Sequence, residues 1–202
     1  MGKQRIGIYG GTFSPPHVGH VRAAESFAEK ISPDRLLIIP DFLPPHKNID
    51  GGANEVDRLR MCELAFSHVE NVEISTLEME RGGKSYTAIT LTELSGEDRE
   101  LYFLVGTDML LTLDGWYSPE TIFRLATICY VRRESDAETE KLIEQKVAEY
   151  REKYGARVIA VESDAIEVSS SDIRDLLKTP DLARRYLSES VYEYIAEKEL
   201  YK

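Results

Sequence analysis

Apolar, β-rich runs recur along the chain at residues 5–9 (RIGIY), 35–39 (RLLII), 72–75 (VEIS), 101–105 (LYFLV), 127–131 (TICYV) and 157–161 (RVIAV). The longer stretches between them carry helical periodicity. Ala24, Phe27, Ala28 and Ile31 fall at helical spacing within 21–31, and 59–66 and 137–154 read as helices as well. The closing SESVYEYIAEKELYK reads as one more amphipathic helix. Strands alternating with helices predict an α/β fold, a Rossmann-like doubly wound parallel sheet with helices on both faces. At 202 residues the chain fits one domain, 1–202, with a core of about 1–165 and a C-terminal helical part of about 166–202. DFLPPHKNIDGGANE, at 41–55, has the prolines and glycines of a loop, and the charged run 134–153 reads as a solvated helix face.

Composition narrows the class. With 42% hydrophobic and 30% charged residues spread along its length, the chain is globular rather than disordered or fibrous. Nothing approaches the ~18 apolar residues of a membrane span. The N-terminus enters a strand-like run without the regions of a signal peptide, so a cytoplasmic location is expected. Cys62 falls in a helix-like segment and Cys129 in a strand-like one, which predicts two buried reduced thiols rather than a disulfide. The net charge of −11 argues against a general nucleic-acid or anionic-membrane binder. An anionic ligand therefore requires a locally basic pocket. The sequence is compatible with a homo-oligomer.

GGTFSPPHVGH, at 10–20, follows the first strand-like run directly and reads as a tight loop leading into a helix. In open α/β sheets ligands bind beyond the carboxyl ends of the strands. Gly10 and Gly11 open the backbone to a close approach, while Pro15 and Pro16 let the helix begin no earlier than about Pro16. His17 and His20, three apart on a first helical turn, lie on the same side, and Gly19 between them leaves room for a base or phosphate. Unpaired helix amides and two imidazoles suit an anion. On these residues alone a purely structural turn is an alternative. The spacing is not that of a dinucleotide fingerprint, and no Cys/His cluster completes a zinc site.

This stretch resembles the G-x-F-x-P-x-H-x-G-H signature of the nucleotidylyltransferase superfamily, whose H-x-G-H part is shared with class I aminoacyl-tRNA synthetases. VSSSDIR, at 168–174, resembles the second signature, I-S-S-[ST]-x-I-R. On its own it reads as a capped helix start, with serines before the apolar stripe of Ile173, Leu176 and Leu177. LPPHKN, GGKSYTAITL and LVGTDMLLTLDGW resemble segments of bacterial nicotinate mononucleotide adenylyltransferases. The resemblance runs from Arg5 to the terminal helix.

The resemblance implies that Gly10, Thr12, Phe13, His17 and His20 line the adenosine and phosphate site of ATP, and that Ser170, Ser171, Ile173 and Arg174 close on the triphosphate. It implies that Lys47 reaches phosphate from the 41–54 loop. Gly106 and Asp108 would lie where the two nucleotides meet, with Thr12 and Asp108 also facing nicotinate mononucleotide. Ser85, Tyr86 and Thr87 would offer backbone amides to the nicotinate carboxylate, Trp116 would stack on the pyridine, and Arg132 would meet substrate phosphate. His17, His20, Lys47 and Arg174 are the implied catalytic residues. Without the resemblance, Trp116 reads as core and Ser85 as the cap of a helix through Leu94. Two positions depart from the family pattern. Ser14 stands where Asp is frequent, and Arg132 is followed by Arg133 where Arg-Pro is usual, so either arginine is a candidate for the phosphate.

The implied reaction is attack by the 5′-phosphate of nicotinate mononucleotide on the α-phosphorus of ATP, with Mg2+ bound through the ATP phosphates and no covalent intermediate. ATP and nicotinate mononucleotide are the expected partners, with neither nucleic acid nor membrane. Within the superfamily, phosphopantetheine adenylyltransferases and cytidylyltransferases are the alternatives, and SYTAITL, Trp116 and the chain length favour the pyridine nucleotide enzyme. A class I synthetase is disfavoured because no KMSKS stretch is present. A non-catalytic nucleotide-binding module has no need of both histidines, Lys47 and Arg174 together.

Overall fold

The computed structural model describes residues 2–44, 52–132, 137–164, 166 and 168–202, with Arg132 by its backbone alone. Among these, six strands form one parallel sheet: β1 (Gln4–Gly11), β2 (Arg35–Pro40), β3 (Val72–Ile74), β4 (Arg99–Gly106), β5 (Ala126–Arg132) and β6 (Val158–Glu162). Each of the apolar runs is a strand, with boundaries shifted by at most two residues. The helices are α1 (Val18–Ile31), α2 (Glu55–Ala65), α3 (Leu77–Arg81), α4 (Thr87–Leu94), α5 (Thr107–Thr112), α6 (Pro119–Leu125), α7 (Ala137–Tyr154), α8 (Ser170–Leu176), α9 (Pro180–Ala183) and α10 (Glu189–Glu197), with a 3₁₀ turn at Leu113–Gly115. Sequence periodicity does not reveal α3, α5, α6 and α9, because each is at most seven residues long and too short to repeat an apolar stripe.

The two-residue alternation of the strands divides the core into two layers. In β2, Leu37 and Ile39 enter one layer with Ile6, Ile8, Phe103 and the apolar faces of α4 to α7. Leu36 and Ile38 enter the other with Ala24, Phe27 and Ile31 of α1, Met61 and Cys62 of α2, Ile173 of α8 and Val191 and Ile195 of α10. A Cβ on Gly7 would stand 3.0 Å from Leu36 and 3.1 Å from the Phe27 ring, so glycine there lets α1 sit directly on β1. Cys62 and Cys129 are free and buried, as expected, and burial pushes both thiols up, that of Cys129 to about 12.

The strand order is β3-β2-β1-β4-β5-β6. Chain direction across the sheet therefore reverses between β1 and β4, and the carboxyl ends of those two strands bracket a crevice. The C-terminal helices do not stand apart, since α10 packs on α2 and the Val18 amide at the start of α1 donates to the Tyr186 carbonyl at 2.9 Å. Among the described residues no helix is long and apolar enough to cross a membrane.

Candidate active site

A cleft of about 1370 Å³ opens at the carboxyl ends of β1, β4 and β5. Gly10, Thr12, Phe13, His17, His20, Ser85, Tyr86, Thr87, Gly106, Asp108, Trp116, Ser170, Ser171 and Arg174 all line it. Ile173 does not. Its side chain is fully buried in the core and its amide is spent on the Ser169 carbonyl at 3.0 Å. Lys47 lies outside the described residues, and so does the side chain of Arg132.

His17 is the N-cap of α1 and His20 sits three residues in. Their ring centroids are 3.7 Å apart with an interplanar angle of 32°, a tilted pair on one side of the helix start. Close packing of His17 is what requires Gly19: a Cβ there would meet the His17 ring and the Ile166 carbonyl at 3.1 Å each. Gly19 itself also lines the cleft. The His17 backbone amide donates to His20 Nδ1 at 3.2 Å. An imidazole nitrogen that accepts carries no proton, so in this bond Nε2 is the nitrogen left to donate.

Beneath the loop lies Arg58, which has no motif to announce it. Its side chain is 1% exposed and donates to the Thr12 carbonyl at 2.9 Å, to Asp41 Oδ1 at 3.2 Å and to the Asp41 carbonyl at 2.7 Å. Asp41 in turn accepts from the Thr12 hydroxyl at 2.9 Å. The ends of β1 and β2 are thereby locked together as the floor of the cleft. The side-chain oxygen of Thr12 is already engaged in that lock.

The SSSDIR segment closes the other side. Ser169 caps α8 reciprocally with Asp172, and the Ser169 hydroxyl and amide hold the Asp172 carboxyl below the usual carboxylate range. Ser170 donates to the Pro15 carbonyl at 2.9 Å. Arg174 donates to the Ser14 carbonyl at 2.8 Å and to the Ser171 hydroxyl at 2.9 Å. A guanidinium has five N–H donors, so most of its capacity remains for a ligand. Ser14, the departure from the family pattern, shares a hydrogen bond of 3.2 Å with the Tyr201 hydroxyl. Burial pushes the Tyr201 phenol up to about 12, which keeps that hydroxyl protonated.

Across the cleft, Ser85 is not the cap of α4. Tyr86 occupies that position, and the Ser85 hydroxyl instead accepts from the Phe42 amide at 2.9 Å. The Ser85 and Tyr86 amides donate to the Leu43 and Lys84 carbonyls. Of the three, Thr87, the first residue of α4, has the amide without an intrahelical acceptor. Trp116 is half-buried, with its ring edge-on to Phe103 at 6.4 Å, and Tyr86 and Tyr117 pair at 4.5 Å beside it. The tryptophan both packs on the core and presents aromatic surface to the cleft. Asp108 is exposed in the first turn of α5. Among the described residues no group of three or more His, Cys, Asp or Glu side chains is arranged to hold a metal ion.

The cytidylyltransferase-like family profile matches residues 8–176. A protein of Listeria monocytogenes serotype 4b named "Probable nicotinate-nucleotide adenylyltransferase" is 32% identical over 201 residues, covering 98% of each chain. One of the same name from Desulfatibacillum aliphaticivorans is 33% identical over 214 residues, covering 98% of this chain and 99% of its own. Among solved structures, the nicotinic acid mononucleotide adenylyltransferase of Plasmodium falciparum, complexed with NaAD, superposes with a TM-score of 0.74 at 17% identity, over 98% of this chain and 97% of that one. At that identity the likeness is one of fold.

Proposed function

The chain belongs to the nicotinate-nucleotide adenylyltransferase family, and we infer that its cleft is where it transfers the adenylyl group of ATP to nicotinate mononucleotide, giving nicotinate adenine dinucleotide and pyrophosphate. The observation that carries this reading is the convergence of His17, His20 and Arg174 on one side of the cleft with Trp116 and the start of α4 on the other. One side is equipped for phosphates and the other for an aromatic ring with a negative charge.

A phosphate oxygen of nicotinate mononucleotide forms the new bond to the α-phosphorus as the bond to the β-phosphate breaks, so alignment and charge stabilisation carry the reaction. His20 Nε2–H donates to the transferring or leaving phosphate, and Arg174 adds charge from the same side of the cleft. Lys47 is assigned to the same phosphates. Gly10 and Gly106 let the two nucleotides approach the backbone. Asp108 is suited to accept from ribose hydroxyls, and Phe13 and Thr12 form the floor beneath the adenosine. Arg132, Ser85, Tyr86 and Thr87 belong to the pyridine nucleotide side. There the Thr87 amide would favour a carboxylate over a carboxamide, whose NH2 would oppose a donor. Ile173 serves by packing α8 rather than by touching ATP.

The family generally uses a divalent metal with ATP. Magnesium is the ion we assign, carried by the phosphates and water rather than by a protein cage. Asp41 is committed to Arg58 and Thr12, so Asp108 is the carboxylate better placed for water-mediated contact. Reduced buried thiols accord with a cytoplasmic enzyme of one domain.

The direct test incubates the protein with Mg-ATP and nicotinate mononucleotide, nicotinamide mononucleotide or phosphopantetheine, and follows product by chromatography. Nicotinate mononucleotide should react fastest. Turnover of phosphopantetheine alone would refute the assignment.

A further inference from the structure

At the end of the sheet remote from the cleft lies a second cavity, of about 490 Å³. Lys3, Arg99, Arg124 and Arg157 line it. They come from four separate segments: Lys3 just precedes β1, Arg99 begins β4, Arg124 is in the last turn of α6, and Arg157 just precedes β6. The sheet order places β1, β4, β5 and β6 side by side, so the fold, not a run of sequence, gathers these cations. In a chain of net charge −11 such a concentration is the exception.

Their charges are not spent internally. Among the described residues none of the four makes an ion pair. Arg99 gives one bond, from Nη1 to the Leu94 carbonyl at 3.1 Å, and its Nε is enclosed without an acceptor. Arg157 gives one, from Nε to the Thr127 hydroxyl at 3.1 Å. That bond, with the Arg157 carbonyl accepting from the Ile128 amide at 2.8 Å, fixes the residue at the mouth of the cavity. With five donors on each guanidinium, most of the hydrogen-bonding capacity of this wall has no partner. Glu100 is the one acid lining the cavity, and it accepts from the Tyr102 hydroxyl at 3.3 Å. The carbonyl ends of α4 and α6 contribute only partial negative charge, so the cavity remains positive overall.

We propose that this cavity is an anion site for a compact polyphosphate chain, either free or at the end of a nucleotide. Arginine forks match phosphate oxygens bidentately, and several cations on separate elements fit a ligand with several adjacent negative charges better than a single carboxylate. The site is distinct from the cleft. An eight-residue strand such as β4 separates them, roughly 23 Å at strand rise.

The test is an amide NMR titration of the full chain with inorganic tripolyphosphate at an ionic strength of about 0.15 M. Gly96, Glu100 and Thr127 should shift saturably with an apparent Kd below about 1 mM. In the Arg124→Gln/Arg157→Gln variant the affinity read at those amides should fall by about tenfold for each guanidinium removed. Both side chains are exposed, so the variant should remain folded, with dinucleotide formation in the absence of polyphosphate unchanged. A parallel ATP titration separates the sources. Tighter binding of ATP at the groove amides means that a nucleoside is read as well, and equal or weaker binding means that the phosphate chain suffices. Shifts confined to cleft amides such as Gly10 and Gly106, or groove shifts that survive both substitutions, overturn the proposal.

Discussion

Replacing Arg58 by methionine removes, among the described residues, the one cation beneath the cleft floor, and takes from Asp41 Oδ1 and from the Thr12 and Asp41 carbonyls the guanidinium they accept from. Breaking a buried pair from one side typically destabilises by about 3–5 kcal/mol, because a charge stays behind uncompensated. Asp41 is 14% exposed and keeps the Thr12 hydroxyl as a donor, which places the expected loss near the lower end, about 3 kcal/mol. For a chain of this size that corresponds to a fall in Tm of about 6–12 °C. Urea unfolding followed by circular dichroism reads the loss as a lower midpoint at constant slope. The companion variant Arg58→Met/Asp41→Leu removes both charges and should recover part of the stability while leaving turnover low, since Thr12 has lost its anchor. A loss below about 1 kcal/mol in the single variant, or a double variant no more stable than the single one, would show that the pair does not hold the floor together.

Three further expectations follow from the site. His20→Ala should lower kcat by about 10²–10³ with a smaller change in KM, as for a lost transition-state donor; an unchanged kcat in a folded variant removes His20 from the chemistry. Trp116→Ala should raise KM for nicotinate mononucleotide with little change for ATP, and equal changes for both substrates would reduce the indole to packing. Burial raises the Asp114 carboxyl, but hydrogen bonds from Lys146 and Tyr150 outweigh it and leave the group below its ordinary value. Its contribution to stability is therefore full above the ordinary carboxylate range and is lost as pH falls through the lowered folded value. Asp114→Asn should flatten that acid limb in pH-dependent thermal melts, and an unaltered limb contradicts the assignment.

The strands were legible because each buried strand is an uninterrupted apolar run, and the order of strands and helices left little choice of fold class. The side of the cleft proposed for phosphates is legible because its residues are contiguous in two short motifs. What escaped notice shares a single cause. Arg58 meets Asp41 from 17 residues away, and Tyr201 meets Ser14 across 187. No local pattern encodes either pairing. The Ile166 carbonyl that packs beside Gly19 likewise arrives from a distant segment. Short helices such as α5, which carries Asp108, escape periodicity, although the motif that Asp108 belongs to is legible.

The bonds from Ser170 to Pro15 and from Arg174 to Ser14 carry a consequence for synthesis. A ribosome that has made every strand of the sheet has not yet made α8, so the nascent chain owns a floor, two histidines and a ring-binding wall but no clamp. Val18 likewise waits for the Tyr186 carbonyl. Premature termination beyond β6 would therefore yield chains able to fold much of their core yet unable to commit ATP, and competence would arise only when the tail docks back on the first loop.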